Sequence, residues 1–126
     1  MRPVLWLLVC GAANAQVIEC PATFPYEPAP LARDSRGIVA PSRLNGGGAY
    51  FGELGGRGEL HGERKEVKGG TDVRYGFGDD DQKWFVCGYG GDGAIGSWRA
   101  VDAKAAACTM RQRTRGGVTT VRAECK

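Results

Sequence analysis

Four arginines near the C-terminus, Arg111, Arg113, Arg115 and Arg122, are the residues best placed by type and spacing to do chemistry. A guanidinium is a planar fork of donors that stays charged at any working pH, so a row of them suits carboxylates or phosphates. The alternate spacing of Arg111, Arg113 and Arg115 puts all three on one face of a strand, because strand side chains alternate with a period of two. The row is therefore a candidate binding surface for an acidic partner. The competing reading is a solvated outer face, made basic to discourage edge pairing.

Reactive constellations are weaker. His61 lies among Glu59, Glu63 and Glu66, which suits a general base or a weak metal ligand, but the glycine-broken, charged stretch around it reads as an exposed loop. Ser35, Ser42 and Ser97 lack the setting of a nucleophile elbow. Asp79-Asp80-Asp81 follows Gly76-Phe77-Gly78 like one copy of a calcium loop, yet such sites need more oxygen ligands than one copy supplies. A solvated acidic turn is the plainer reading, or a run that neutralises the arginine face. Gly88-Tyr89-Gly90-Gly91-Asp92-Gly93 has the letters of a dinucleotide loop, but no helix follows to complete a βαβ unit, so it reads as a hairpin loop. Tyr50 and Phe51, set among glycines, are either core or an exposed binding anchor. No catalytic residue, no metal site and no cofactor are expected; paired carboxylates for glycan hydrolysis stay open, since spatial pairs are invisible in sequence.

Short strands must position these groups. Thr71 to Phe77 alternates Val73, Tyr75 and Phe77 against Asp72, Arg74 and Gly76, and Lys83 to Tyr89 carries the β-formers Trp84, Phe85, Val86 and Tyr89. Ile38–Leu44, Ala49–Leu54 and Glu63–Lys68 are weaker strand candidates, with Gly46-Gly47-Gly48 bounding the second. Gly93–Trp98 is expected to pair back on Lys83–Tyr89. Val101–Ala107, with four alanines, is the one helix-favouring stretch, about one turn long. Spacing and glycine punctuation predict a mainly β fold: a small antiparallel sheet or barrel with at most one short helix.

At the C-terminus, a two-residue turn at Gly116-Gly117 sets the register, because glycine pairs accept the positive φ that such turns need. Arg115 then faces Val118, Arg113 faces Thr120, Arg111 faces Arg122 and Cys108 faces Cys125. One face carries Cys108, Met110, Val121, Ala123 and Cys125; the other carries Thr109, Arg111, Arg113, Arg115, Thr120, Arg122 and Glu124. Counting outward, Cys108 and Cys125 fall on a non-hydrogen-bonded pair, where side chains approach most closely. This favours Cys108–Cys125 with Cys20–Cys87, while Cys87–Cys108 with Cys20–Cys125 stays open.

The N-terminus supplies the setting. Met1-Arg2-Pro3, an apolar run from Val4 to Ala12 and then Ala13-Asn14-Ala15 read as a signal peptide over residues 1–15, too short to span a bilayer. Val9 argues against a lipid anchor on Cys10. Cleavage removes Cys10 from the five cysteines and leaves Cys20, Cys87, Cys108 and Cys125 for two disulfides. Residues 16–35, with Pro21, Pro25, Pro28 and Pro30, read as an extended strap, and residues 36–126 as a single disulfide-bonded β domain. The 17 Lys and Arg against 14 acids are skewed toward the C-terminal end. Periplasmic or secreted bacterial localisation follows, with nucleic acid excluded as a partner and no membrane attachment after cleavage.

Cys20-Pro21, the stretch Trp84-Phe85-Val86-Cys87-Gly88-Tyr89 and the late Cys108 resemble a family of small proteobacterial periplasmic proteins, some associated with type VI secretion loci. The resemblance implies an immunity protein against a cell-wall-attacking effector. The expectation is therefore a non-enzymatic periplasmic binding protein, an inhibitor or immunity protein whose partner is an envelope enzyme or effector toxin. A small cell-wall glycan-binding or hydrolytic module, and an envelope structural protein without a defined ligand, are the alternatives.

Overall fold

Runs of β-branched and aromatic residues separated by glycine turns give eight strands and, among the described residues, no helix. The computed structural model describes residues 15–24, 33–35, 41–79 and 82–126. The strands are β1 (Gln16–Glu19), β2 (Leu44–Phe51), β3 (Glu63–Val67), β4 (Gly70–Gly76), β5 (Lys83–Tyr89), β6 (Ile95–Ala100), β7 (Ala107–Arg115) and β8 (Val118–Cys125). They form two antiparallel sheets, a five-stranded one in the order β1-β8-β7-β4-β3 and a three-stranded one in the order β2-β5-β6. The mainly β expectation holds.

The core lies between the sheets. Ile18, Met110, Val121 and Ala123 from the larger sheet meet Ala49, Phe85 and Tyr89 from the smaller one, all essentially inaccessible to solvent. Burying a side chain of that size is worth ~1.5–3 kcal/mol, so these contacts, and not the polar outer faces, hold the sheets together. Among the described residues Lys83 is the one buried charged residue; its Nζ donates to the carbonyls of Ala103 and Ala105 at 2.6 and 2.8 Å and sits 5.6 Å from the Phe77 ring centre. Those acceptors take the place of water around the buried ammonium.

Both disulfides of the favoured pairing are present. Cys108–Cys125 lies within the β7–β8 hairpin, with Cα atoms 4.0 Å apart, and Cys20–Cys87 ties the residue after β1 to the middle of β5. Gly116 and Gly117 have φ of 57° and 78°, and the register follows them: Arg115 opposite Val118, Arg111 opposite Arg122, Cys108 opposite Cys125. The backbone of Ala107 and Lys126 exchanges hydrogen bonds just beyond the cysteine pair, which leaves that pair in the close-approach, non-hydrogen-bonded position. Two disulfides fit an oxidising compartment outside the cytoplasm.

Several expectations are corrected. Gly46-Gly47-Gly48 does not bound a strand but lies inside β2, next to an irregularity between Leu44 and Gly46. Packing overrides the low strand propensity of glycine there: a Cβ on Gly47 would sit 3.0 Å from Phe85 Cζ and 3.1 Å from Val121 Cγ1. The strand expected over Ile38–Leu44 is not seen in its described part, 41–44, where only Leu44 is in strand and Arg43 makes an isolated bridge to Thr23; residues 38–40 lie outside the described residues. The stretch 101–106 is the single turn between strands that its length allows, non-helical, with Ala107 already opening β7. Ala105 N donates to Asp102 O and Lys104 N to Asp102 Oδ1, because Val101 N is held by Lys83 O and Ala107 already pairs with Lys126. The strap is a strand at its start: Gln16–Glu19 pairs with β8 as the sheet edge, an edge being where a proline-flanked segment can join. Its Gln16 side chain donates to Ala100 O and accepts from Asp102 N, joining the two sheets at one corner. The prolines from Pro25 to Pro30 and the expected signal segment up to Asn14 lie outside the described residues.

Candidate functional site

Strand alternation places Arg111, Arg113, Arg115 and Arg122 on the outer face of the five-stranded sheet, as their spacing implies. The neighbouring strands decide what surrounds them. Pairing of β1, β8, β7, β4 and β3 lines up Glu19, Arg122, Arg111, Asp72 and Lys65 as one cross-strand row. The next row holds Glu124, Thr109, Arg74 and Glu63.

The like-charged pair Arg111–Arg122 is thus flanked by acids, which removes much of the cost of placing the two cations opposite each other. Arg122 Nη1 lies 3.1 Å from Glu19 Oε1, and its Nη2 lies 3.6 Å from Glu124 Oε1. Arg113 Nη1 lies 2.8 Å from Asp72 Oδ1, although its aligned hydrogen bonds go to the carbonyls of Gln112 and Thr71, at 2.9 and 3.3 Å. Asp72 Oδ1 is therefore neutralised by proximity but accepts no aligned hydrogen bond. The acids that balance the face are Asp72, Glu19 and Glu124. Asp79 makes no ion pair among the described residues, and Asp80 and Asp81 lie outside them.

Arg111 is left without an ion-pair partner among the described residues, as are Arg74 and Arg115. Arg74, Arg111, Arg122 and Lys126, with Thr109 and Glu124, line a concavity of about 310 Å³ floored by Ala106 and Ala107. Arg115 is not part of it: it stands at the turn with Arg113 around a separate hollow lined by Lys68, Thr114 and Thr120. Four cations against one carboxylate in the first hollow fit an acidic group, with two-point guanidinium hydrogen bonding available from more than one side.

Sequence reasoning missed Arg74 and Lys126. Their membership depends on β4 lying beside β7 and on the chain end pairing with Ala107, neither of which local spacing reveals. The one visible signal was that Arg74 falls on the polar face of an alternating strand.

The remaining candidates are dispersed. His61 is exposed in the loop before β3. Residues 90–93 lie in the β5–β6 connection, with Gly93 N donating to Gly90 O at 3.1 Å, whereas Gly88 and Tyr89, read as part of that loop, are the last residues of β5. Phe51 is exposed, whereas Tyr50 packs against Trp98, with ring centres 4.8 Å apart, and Trp98 meets Trp84 edge-on at 6.2 Å. Burial, helped by the Glu59 carboxylate, pushes the Tyr50 phenol above its ordinary value. Among the described residues no three His, Cys, Asp or Glu side chains converge as a metal site would need. Comparison with protein-family models, with curated proteins and with solved structures finds no match, so the basic face has to be read from its own chemistry.

Proposed function

We propose that this is an exported binding protein of the bacterial periplasm whose basic sheet face docks an acidic patch on a protein partner. The class this fits best is an inhibitor or immunity protein for an envelope enzyme or effector toxin. One observation carries the reading: Arg74 and Arg111, unpaired among the described residues, share a concavity with Arg122 and Lys126. A face that served only solubility would have no need to gather its unpaired guanidinia into a hollow. Rigid strands fix their backbones, while each unpaired guanidinium gives up rotamer freedom on binding. Charge complementarity of this kind steers encounter and selects partners more than it adds raw affinity.

The test is capture from periplasmic extract with the wild-type protein and with an Arg74→Glu/Arg111→Glu variant as bait. Wild type is expected to retain one stoichiometric partner, released when salt rises from about 0.1 M to about 1 M as the Debye length falls from about 10 to about 3 Å. Charge reversal should weaken capture at least ~10-fold. Equal capture by both baits would sink the proposal.

A further inference from the structure

On the three-stranded sheet a second cleft has a different chemistry. Gly46, Gly88 and Gly96 are register partners across β2, β5 and β6, and Gly48 lies two residues further along β2. Gly46, Gly48 and Gly88, but not Gly96, line a cleft of about 230 Å³ together with Gly47, Asn45, Gly93, Val86, Tyr50 and Glu59.

Glycine inside a strand weakens it by ~0.5–1 kcal/mol relative to alanine, so each position needs a reason. Gly47 has one in the Phe85 and Val121 side chains already described. Gly96 has another, since a Cβ there would sit 3.0 Å from Trp98 Nε1 and 3.1 Å from Val86 Cγ1. Gly48 and Gly88 have neither. Their Cβ atoms would meet nothing closer than 3.8 and 3.6 Å, and neither residue has positive φ. Gly88 faces the irregularity of β2 between Leu44 and Gly46, whereas Gly48 lies clear of it; both keep the floor of the cleft open. Strand glycines mark a bulge, a bend or a place where another backbone or a ligand comes close, and at Gly48 a ligand is the reading that fits the open cleft.

The walls say which ligand. Trp84 donates from Nε1 to Gly52 O at 2.8 Å and holds Trp98 edge-on, and Trp98 in turn packs on Tyr50, so the Tyr50 ring is fixed before any ligand arrives. Glu59, paired with Tyr50 in an isolated bridge, is the one charged group of the lining and disfavours anions. Asn45 donates from Nδ2 to Gly91 O at 3.2 Å, keeping Oδ1 as an acceptor. A ring with an apolar face for Tyr50 and hydroxyls for Glu59 and Asn45 satisfies all three. The volume is below the ~300–1,000 Å³ of pockets that enclose a whole small molecule, so it suits one ring of a longer chain.

We propose that the cleft floored by Gly48 and Gly88 and walled by Tyr50 and Glu59 binds one pyranose unit of a neutral glycan. The site is independent of the basic face, so either proposal can fail alone.

Isothermal titration of the exported protein with cellotetraose, tetra-N-acetylchitotetraose and the anionic tetragalacturonate tests it. At least one neutral tetrasaccharide is expected to bind with Kd of about 1 mM or tighter, and tetragalacturonate not to bind. Tyr50→Ala should weaken binding roughly 10-fold. Gly48→Ala/Gly88→Ala should match that loss while the melting temperature stays level or rises, which separates occlusion of the cleft from misfolding. Arg74→Glu/Arg111→Glu should leave tetrasaccharide binding unchanged. Absence of binding by both neutral sugars, equal binding of tetragalacturonate, unweakened binding by the double alanine variant, or loss on charge reversal would each overturn the proposal.

Discussion

The two outer faces of this small β protein are built on opposite plans. The five-stranded sheet presents long charged side chains, several already paired with one another, over a hollow of guanidinia. The three-stranded sheet presents pinned aromatic rings beside glycines that contribute no side chain at all. Charge acts over distance and is screened by salt; ring stacking and an open backbone floor act only on contact and depend on shape. The difference teaches that one chain can present a charged face and an aromatic, glycine-floored face without either constraining the other, because the core between them is apolar.

The strongest way to break that independence is to release the sheets from each other. Cys20–Cys87 crosses from the β1 end of the larger sheet to the centre of the smaller one and spans 67 residues, whereas Cys108–Cys125 spans 17 within one hairpin. Loop entropy predicts that Cys20→Ala/Cys87→Ala loses about 4 kcal/mol and Cys108→Ala/Cys125→Ala about 3 kcal/mol. Denaturant unfolding measures both. A larger loss for the hairpin bridge would show that the sheets hold together without their staple.

Adjacent glycines sharpen the comparison further. Gly47→Ala forces a methyl between Phe85 and Val121 and should cost ~1–3 kcal/mol. Gly48→Ala meets only ordinary contacts, with Tyr75 Oη at 3.8 Å and Tyr50 Cε1 at 4.0 Å, and should be neutral or gain ~0.4–1 kcal/mol. Thermal unfolding of the two variants side by side decides it; equal destabilisation would mean that both glycines serve packing.

Alkaline pH gives the smallest and most selective effect. Burial raises the phenols of Tyr50, Tyr75 and Tyr89 above 10.0, with Glu59 adding to the rise at Tyr50 and Arg64 opposing it at Tyr75. The folded state therefore keeps protons that the unfolded chain releases. Their contribution is fully present below the unfolded value near 10 and is lost as pH climbs through the raised folded values. Stability should fall above pH 10 in step with phenolate absorbance, while the arginines of the opposite face keep their charge. Tyr75→Phe should flatten that fall; an unchanged slope would place its origin elsewhere.

Legibility in the sequence followed the range of the interaction. The β7–β8 register, its cysteine pair and the arginine face were readable because a glycine pair fixes its own turn and everything outward follows by counting. β4 and β5 were readable from alternation and β-forming residues. β2 was misjudged, since the reason for Gly47 lies in Phe85 and Val121, far along the chain. β1 was missed because its four residues look like the start of a proline-rich strap. Arg74, Lys126 and the packing of Tyr50 on Trp98 depend on which strands become neighbours. Alanine-rich Val101–Ala107 favours a helix locally, but its two ends are already committed to the backbones of Lys83 and Lys126.

The Gly116-Gly117 turn has a consequence for how the chain finds its covalent form. Four thiols admit three pairings, two of them wrong. A loop of 17 residues closes at a lower entropic cost than one of 67, and the hairpin register brings Cys108 to Cys125 without help from any other strand. Once that bond exists, Cys20 and Cys87 are the remaining cysteines among the described residues. Two glycines at the tip of a hairpin thus reduce a choice among three connectivities to none, and the error-correction problem of oxidative assembly is solved by counting residues.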